Sequence, residues 1–151
     1  NYSVMTKPII ISVILIVAIF FIVGVSFEEG GCQCSVSTAK LSDAKVCTSL
    51  TGNLCDQDNL VLPASTPMIY VTCMLKYASA NTKVKFSWMY YGDTKFEIDN
   101  AVLDTGDNIG NLELHSNLSR PDNGWPTGVY EVIIQVQTDN AKPLVKQFNI
   151  N

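Results

Sequence analysis

The chain has 151 residues, a net charge of -4 at pH 7 and a single His, and 47% of its residues are hydrophobic. An acidic chain without a run of Lys or Arg lacks the basic surface that a nucleic-acid backbone requires. One His and no Gly-x-Ser-x-Gly motif leave too few parts for a Ser-His-Asp nucleophile. We therefore expect a non-enzymatic protein with no catalytic residues, no cofactor and no nucleic-acid partner.

The first predicted element is an apolar segment that extends from Ile9 to Phe27. About 19 apolar residues are enough to cross the hydrocarbon of a bilayer as a helix. A lysine precedes the segment and two glutamates follow it, and because basic residues stay on the cytoplasmic side, the rest of the chain is predicted to face outward. The sequence thus predicts a hydrophobic stalk or transmembrane helix in residues 1–31 and an extracellular domain in residues 32–151.

Apolar side chains surround this predicted helix on every face, which suits lipid and contact with identical helices equally well. A membrane and identical subunits are therefore its expected partners. The residues expected to pack in an assembly are Ile9, Ile11, Val13, Ile16, Val17, Phe20, Phe21 and Val23.

The residues ahead of the apolar segment leave two interpretations open. The chain begins at Asn1 and not at a methionine, which fits the removal of a leader ahead of the segment. Alternatively, translation starts at Met5 and the four residues before it are foreign to the protein. In both cases we expect the apolar segment to be retained in the mature protein and not cleaved as a secretory signal.

The outer domain is predicted to consist of β-strands throughout. Side chains that alternate with a period of two, one apolar set facing inward, predict strands over residues 68–77, 83–90, 130–137 and 144–150. Weaker alternation predicts further strands over residues 35–41, 96–103 and 112–118. Because turn residues separate these segments at regular intervals, seven short strands in a two-layer sandwich are expected.

Five cysteines lie in the first half of the outer domain: Cys32, Cys34, Cys47, Cys55 and Cys73. Disulfides persist outside the cytosol, so pairing is the expected use of these thiols. Cys47 and Cys55 flank a short segment that is able to turn tightly and bring them together. Cys73 is expected near the edge of the core, where Cys32 or Cys34 is its predicted partner. The odd cysteine is then free, buried or joined to a neighbouring subunit.

A metal or cluster site is the rival explanation for these cysteines. Cys32-Gln33-Cys34 has a chelating spacing, and three further thiols are available to close around zinc or iron. Because an exported domain ordinarily uses cysteine for disulfides, we expect no metal and keep Cys32 and Cys34 as the alternative ligands.

Two polar segments invite a functional interpretation. Asp104-Thr105-Gly106-Asp107-Asn108 carries oxygen ligands at the density of a calcium loop, but the same residue types are typical of a hairpin turn, which is the prediction. Asn117-Leu118-Ser119 is a glycosylation sequon on the predicted outward side, so Asn117 is a candidate acceptor.

The second half of the chain resembles a known class of sandwich. Trp88 on a predicted central strand, and Gly128 two residues before Tyr130, resemble the immunoglobulin or fibronectin type III class. The resemblance implies an immunoglobulin-like sandwich in which Cys73 occupies the second-strand position of the usual inter-sheet disulfide and Val132 stands in place of its partner. The predicted fold class is therefore a single N-terminal hydrophobic, transmembrane-type helix followed by an all-β immunoglobulin-like sandwich of about seven strands.

An apolar N-terminal helix that carries an outward β-sandwich is similar in layout to archaeal and other type IV pilin-like filament subunits. The similarity implies a cell-surface filament in which the helices form the hydrophobic core and the sandwiches form the outer coat. The alternative is a single-pass, membrane-anchored immunoglobulin-like subunit that binds or stabilises a larger membrane complex.

Overall fold

The computed structural model of the protein describes residues 36–151. This part of the chain contains eight strands and no helix, and so no helix within it could span a membrane. The strands are β1 (Lys40–Cys47), β2 (Val61–Leu62), β3 (Met68–Ala78), β4 (Lys83–Tyr91), β5 (Lys95–Asp104), β6 (Gly110–Ser119), β7 (Gly128–Val136) and β8 (Leu144–Ile150).

The strands form two sheets that pack face to face. The smaller sheet has the order β1-β3-β6 and the larger sheet the order β2-β8-β7-β4-β5. Neighbouring strands are antiparallel except for β2, which pairs with β8 in parallel. One apolar cluster with members from both sheets fills the space between them. The described residues therefore form a β-sandwich with a single core.

Alternation along the central strands decides which side chains enter this core. On β3, Ile69, Val71, Cys73 and Leu75 are fully buried, because successive side chains of a strand point to opposite faces. On the facing sheet, Trp88 of β4 packs edge-on against Phe148 of β8, with 6.5 Å between the ring centroids. The largest fully buried side chains are Trp88, Tyr130, Phe86 and Phe148.

This architecture corrects the predicted fold class. In place of an immunoglobulin-like sandwich of about seven strands behind a transmembrane-type helix, residues 36–151 form eight strands in sheets of three and five, with no helix. The strand missing from the prediction is β2, whose two residues are too few to show an alternating pattern. The apolar segment of residues 9–27, with the eight packing residues named for it, lies outside the described residues. The division of the chain after residue 31 stays a prediction.

The first strand also lies later in the chain than its pattern suggests. A strand was expected over residues 35–41, whereas β1 covers Lys40–Cys47. Its register shifts between Ser42 and Lys45, where Asp43 adopts a φ of 57°. A bulge of this kind inserts a residue and breaks the period of two, so the alternation that marks a regular strand is absent from β1.

Candidate interaction surface

β5 is an edge strand of the larger sheet, and within residues 36–151 its neighbour in that sheet is β4. The pairing runs antiparallel from Lys95 opposite Tyr91 to Asp104 opposite Lys83. Every side chain from Lys95 to Asn100 is exposed. The backbone groups on the outer side of such a strand are a template for pairing with another chain.

Large apolar side chains are among those that β5 exposes. Phe96 is 51% exposed, Val102 48% and Ile98 39%. The register of the β4–β5 pair shifts between Trp88 and Met89, so that Ile98 is the extra residue of a bulge. An exposed edge with apolar side chains is either a binding site or an aggregation hazard.

A cleft on the inner side of this edge adds to the apolar surface. It has a volume of about 110 Å³, and the atoms that it exposes are apolar. Its walls come from β4, β5, the start of β7 and the loop before β7, and its lining residues are Tyr90, Phe96, Ile98, Pro121, Trp125, Pro126 and Tyr130. We name β5 together with this cleft the β5 margin.

The walls of the cleft are held in place by hydrogen bonds and ring contacts. Trp125 is 5% exposed and donates from Nε1 to the Thr66 carbonyl oxygen at 2.6 Å. The Tyr90 hydroxyl donates to the Thr127 carbonyl oxygen at 3.1 Å, and the Tyr90 ring meets Phe96 edge-on at 5.7 Å. These contacts hold the Trp125 and Tyr90 walls of the cleft in place.

Gly128 allows the Tyr90 ring to lie close to the start of β7. Its φ is 144°, and a Cβ at this position would come within 3.2 Å of the Tyr90 ring and 3.3 Å of its hydroxyl oxygen. Both the backbone conformation and the close approach favour glycine. The pattern Gly-x-Tyr at residues 128–130 is thus explained by packing at the cleft and not by ligand chemistry.

The opposite face of the larger sheet carries a buried carboxylate beside β5. Glu131 is 5% exposed. Its Oε1 accepts from Lys95 Nζ at 2.7 Å, and its Oε2 accepts from Gln147 Nε2 at 2.8 Å and from the Tyr91 hydroxyl at 3.0 Å. Lys95 Nζ also lies 4.7 Å from the centroid of the Tyr91 ring. The network ties the first residue of β5 to β4, β7 and β8.

Two opposing effects act on the pKa of Glu131. Burial disfavours the charged carboxylate, while hydrogen bonds from Lys95, Gln147 and Tyr91 favour it, and the net result is a pKa below the usual value for glutamate. The same contact raises the pKa of Lys95, chiefly through its hydrogen bond with Glu131. Both groups are therefore charged at neutral pH, and each oxygen of the Glu131 carboxylate accepts at least one hydrogen bond.

Replacing Glu131 by Gln is expected to reduce the dependence of stability on acid pH. A carboxyl whose pKa is lower in the folded state stabilises the fold above its unfolded pKa of about 4.3, and this stabilisation is lost as the pH falls through the folded pKa. Denaturant unfolding from pH 7 down to pH 3 should therefore show a shallower acid decline for Glu131→Gln than for the wild type. Glu113→Gln, a change at an exposed position of β6, is the control, and an unchanged decline in Glu131→Gln would contradict the expectation.

Two of the five cysteines form a disulfide in the structure. Cys47 and Cys55 are joined, with their Cα atoms 5.7 Å apart, and close the loop between β1 and β2. Cys73 is a free thiol with no exposed surface, and burial raises its pKa to about 12. Cys32 and Cys34 lie outside the described residues, so the chelating pair proposed from them stays untested. Residues 36–151 hold no group of three or more His, Cys, Asp or Glu that could bind a metal ion.

The two polar segments singled out in the sequence are both at the surface. Asn117 lies on β6 with an exposed side chain, opposite Tyr70 of β3. The segment from Asp104 to Asn108 forms a turn, in which Asp104 Oδ1 accepts from the Gly106 N–H at 2.9 Å and the Asn108 N–H donates to the Thr105 carbonyl oxygen at 3.0 Å. These short-range bonds are those of a turn. The turn joins β5 of the larger sheet to β6 of the smaller sheet, and these strands do not pair, so the prediction of a hairpin is wrong.

Comparisons with known proteins identify no family for this chain. No protein-family model matches the sequence, and no curated protein matches it. Among solved structures, the chain is similar to Pseudomonas fluorescens alkylpurine DNA glycosylase AlkC bound to DNA containing an abasic site analog, with 13% sequence identity and a TM-score of 0.43. The match covers 76% of this chain and 31% of that one. The chain therefore spans about a third of the glycosylase's length, and at this TM-score the likeness supports no conclusion about function.

Sequence reasoning did not single out the β5 margin. The segment was expected to be a weak strand, but neither its place at a sheet edge nor the cleft beside it can be read from local alternation. One signal was available, because charged residues recur at Lys95, Glu97 and Asp99 and charges of this density are typical of edge strands.

Proposed function

We propose that this chain is a non-enzymatic structural subunit of a pilus-like, cell-surface filament. The observation that supports it most is the order of its two parts, an apolar segment of residues 9–27 followed by a β-sandwich closed by a disulfide. In the proposed assembly, identical apolar segments bury one another, and the sandwiches form the outer surface. The membrane holds the segment before assembly.

The disulfide supports the part of this proposal that concerns localisation. Disulfides form and persist in oxidising compartments and are rare in the cytosol. The bond between Cys47 and Cys55 is therefore consistent with a sandwich displayed outside the cytoplasm. The positive-inside rule gives the same orientation, since a lysine precedes the apolar segment and acidic residues follow it.

A second candidate function is favoured by the β5 margin. An edge strand that residues 36–151 leave unpaired on its outer side, beside an apolar cleft, is suited to binding another protein. A single-pass, membrane-anchored accessory subunit that binds a larger complex through its sandwich would use such a surface. We place this candidate second because an apolar segment ahead of a β-sandwich is similar in layout to pilin-like filament subunits, whereas the apolar character of residues 9–27 suits lipid and identical helices equally well.

Electron microscopy of material sheared from intact cells distinguishes the two candidates. The filament subunit should be recovered without detergent, as helical fibres that an antibody against the sandwich decorates along their length. The accessory subunit should remain with the cells and be released by detergent together with other proteins. Recovery of this chain in the detergent fraction alone would overturn the filament proposal.

A further inference from the structure

We propose that β5 is an interface between two copies of this chain, which pair edge to edge and antiparallel about a two-fold axis at Asn100. The two five-stranded sheets would then become one continuous sheet. This contact is separate from the apolar segment that the filament proposal invokes. Three features of the β5 margin support it: its exposure, its charge pattern and the way its remaining side chains fit the same register.

Exposure makes this strand a candidate for pairing. Phe96 and Val102 are about half exposed. They lie on opposite faces of the strand, because Phe96 pairs with Tyr90, which faces inward, and Val102 pairs with Lys85, which faces outward. A strand added at this edge would cover apolar surface on both faces. It would also satisfy the outer row of backbone N–H and C=O groups.

The charge pattern favours an antiparallel second copy over a parallel one. In a parallel, in-register pair, Glu97, Asp99 and Asp104 would each lie opposite the same residue of the second copy, and like charges directly opposite are destabilising. In an antiparallel pair centred on Asn100, Lys95 lies opposite Asp104 of the second copy, because Ile98 of each copy is the extra residue of a bulge and has no residue opposite it. Because of the two-fold symmetry, this pair of opposite charges occurs twice in the interface.

The same register suits the remaining side chains. The bulge at Ile98 shifts the alternation so that Phe96 and Leu103 face inward while Glu97 and Val102 face outward. With Asn100 at the axis, Phe96 lies opposite Leu103 of the second copy and Asp99 opposite Ala101, so no two carboxylates face each other. Centring the pair on Asp99 instead would place Asp99 opposite Asp99 of the second copy. Centring it on Ala101 would place Asp104 opposite Glu97 of the second copy.

The pairing also determines the relative direction of the two chains. The Ser37 N–H donates to Asn140 Oδ1 at 2.9 Å. Three residues before Asn140, the Gln137 N–H donates to the Lys83 carbonyl oxygen at 2.8 Å. Lys83 in turn pairs with Asp104. Ser37 therefore lies at the Asp104 end of β5. In an antiparallel pair the two copies of Ser37 lie at opposite ends of the paired strands.

A cysteine at the two-fold axis tests this interface directly. Residues directly opposite in an antiparallel pair have Cβ atoms about 4.5–5.5 Å apart, within reach of a disulfide after a small adjustment. Full-length Asn100→Cys in mild detergent should shift to a covalent dimer on mild oxidation, with a peptide linked from position 100 to position 100 by mass spectrometry. Asn117→Cys is the matched control, an exposed asparagine on β6, which is one of the two edge strands of the other sheet. Equal yields of linked peptide from both variants, or none from Asn100→Cys, would overturn the inference.

Charge reversal distinguishes the proposed interface from disulfides that form by random collision of two copies. Asp104→Lys in the Asn100→Cys background places two lysines opposite each other at both ends and should abolish the linked peptide. Mixing it with Lys95→Glu in the same background recreates opposite charges at both ends, and the linked heterodimer should return. Circular dichroism checks that each variant is folded. If Lys95→Glu disturbs the fold because it loses the contact with Glu131, the effect of Asp104→Lys on the linked peptide tests the register by itself. A linked species that is insensitive to Asp104→Lys would contradict the register.

The outcomes for the two proposals are distinguishable. Fibres in sheared material without a linkage at position 100 would support the filament and overturn the β5 pairing. Linkage without fibres would support the pairing and overturn the filament.

Discussion

Trp88→Ala is expected to lower the free energy of unfolding by about 3–5 kcal/mol, the usual cost of truncating a large buried aromatic side chain. Trp88 is 1% exposed, packs edge-on against Phe148 at 6.5 Å and donates from Nε1 to Ser116 Oγ at 3.2 Å. The loss therefore includes apolar contacts between the sheets and leaves Ser116 without its partner. Since native domains are stable by only about 5–15 kcal/mol, a large part of the stability depends on this one side chain.

Urea unfolding of the full chain, followed by tryptophan fluorescence, measures this effect, because Trp125 remains as a probe when Trp88 is replaced. Trp88→Phe is the informative control because it keeps a ring in the core and removes the hydrogen bond, so its loss should be clearly smaller than that of Trp88→Ala. Ser116→Ala removes the acceptor alone. A Trp88→Ala variant with an unchanged urea midpoint would show that the two sheets do not depend on this contact.

Removing the disulfide is expected to cost about 2–3 kcal/mol in the free energy of unfolding. Cys47 and Cys55 are eight residues apart, and closing a loop of this length restricts the unfolded chain by roughly that amount in the chain-entropy model. Both cysteines are buried, so replacement by alanine avoids placing two hydroxyl groups in their site. The double variant Cys47→Ala with Cys55→Ala should therefore unfold at a lower urea concentration than the wild type.

A second interaction that holds the same loop in place provides a comparison for the cost of losing the disulfide. Asp58 accepts from the Val46 N–H at 3.0 Å and pairs with Lys146 of β8, so the loop between β1 and β2 is also fastened to both sheets by this carboxylate. Asp58→Asn should cost less than the double alanine variant, because the amide still offers an oxygen to Val46. If reduction of the wild type leaves its urea midpoint unchanged, the disulfide contributes nothing to stability and the expectation is wrong.

The parts of the fold that could be predicted from sequence are those where one face of a strand is fully buried. Alternation predicted a strand over residues 68–77, and β3 covers Met68–Ala78 because every second side chain enters the core. β1 was misplaced because the bulge at Asp43 breaks its period. β2 was missed because its two residues pair in parallel with the distant end of β8, a contact that no local pattern encodes.

The candidate surface was harder to predict than the core. A strand pattern near Phe96 gives the strand but not its position in the sheet, which depends on long-range pairing with Lys83–Tyr91 of β4. The cleft brings Tyr90 and Phe96 next to Trp125, which comes from a loop well over twenty residues further along the chain. The proximity of Cys47 to Cys55 was foreseeable, in contrast, because a short turn-forming segment joins them.

The buried state of Cys73 illustrates both limits. Its inward position on β3 follows from alternation, but whether its thiol forms a disulfide depends on which residues surround it in the core. The thiol is fully buried in the same apolar core cluster as Val132 of β7, and no other cysteine of residues 36–151 belongs to that cluster. The thiol therefore acts as a small apolar core residue.

The central claim is that the apolar segment of residues 9–27 stays on the working molecule and is kept from water by lipid or by its own copies. Sedimentation of the purified full chain after detergent removal tests this most directly, with mass spectrometry to show that residues 1–151 are intact. We predict large assemblies in plain buffer, or recovery with vesicles when lipid is supplied. A stable monomer in plain buffer with that segment intact would contradict the account.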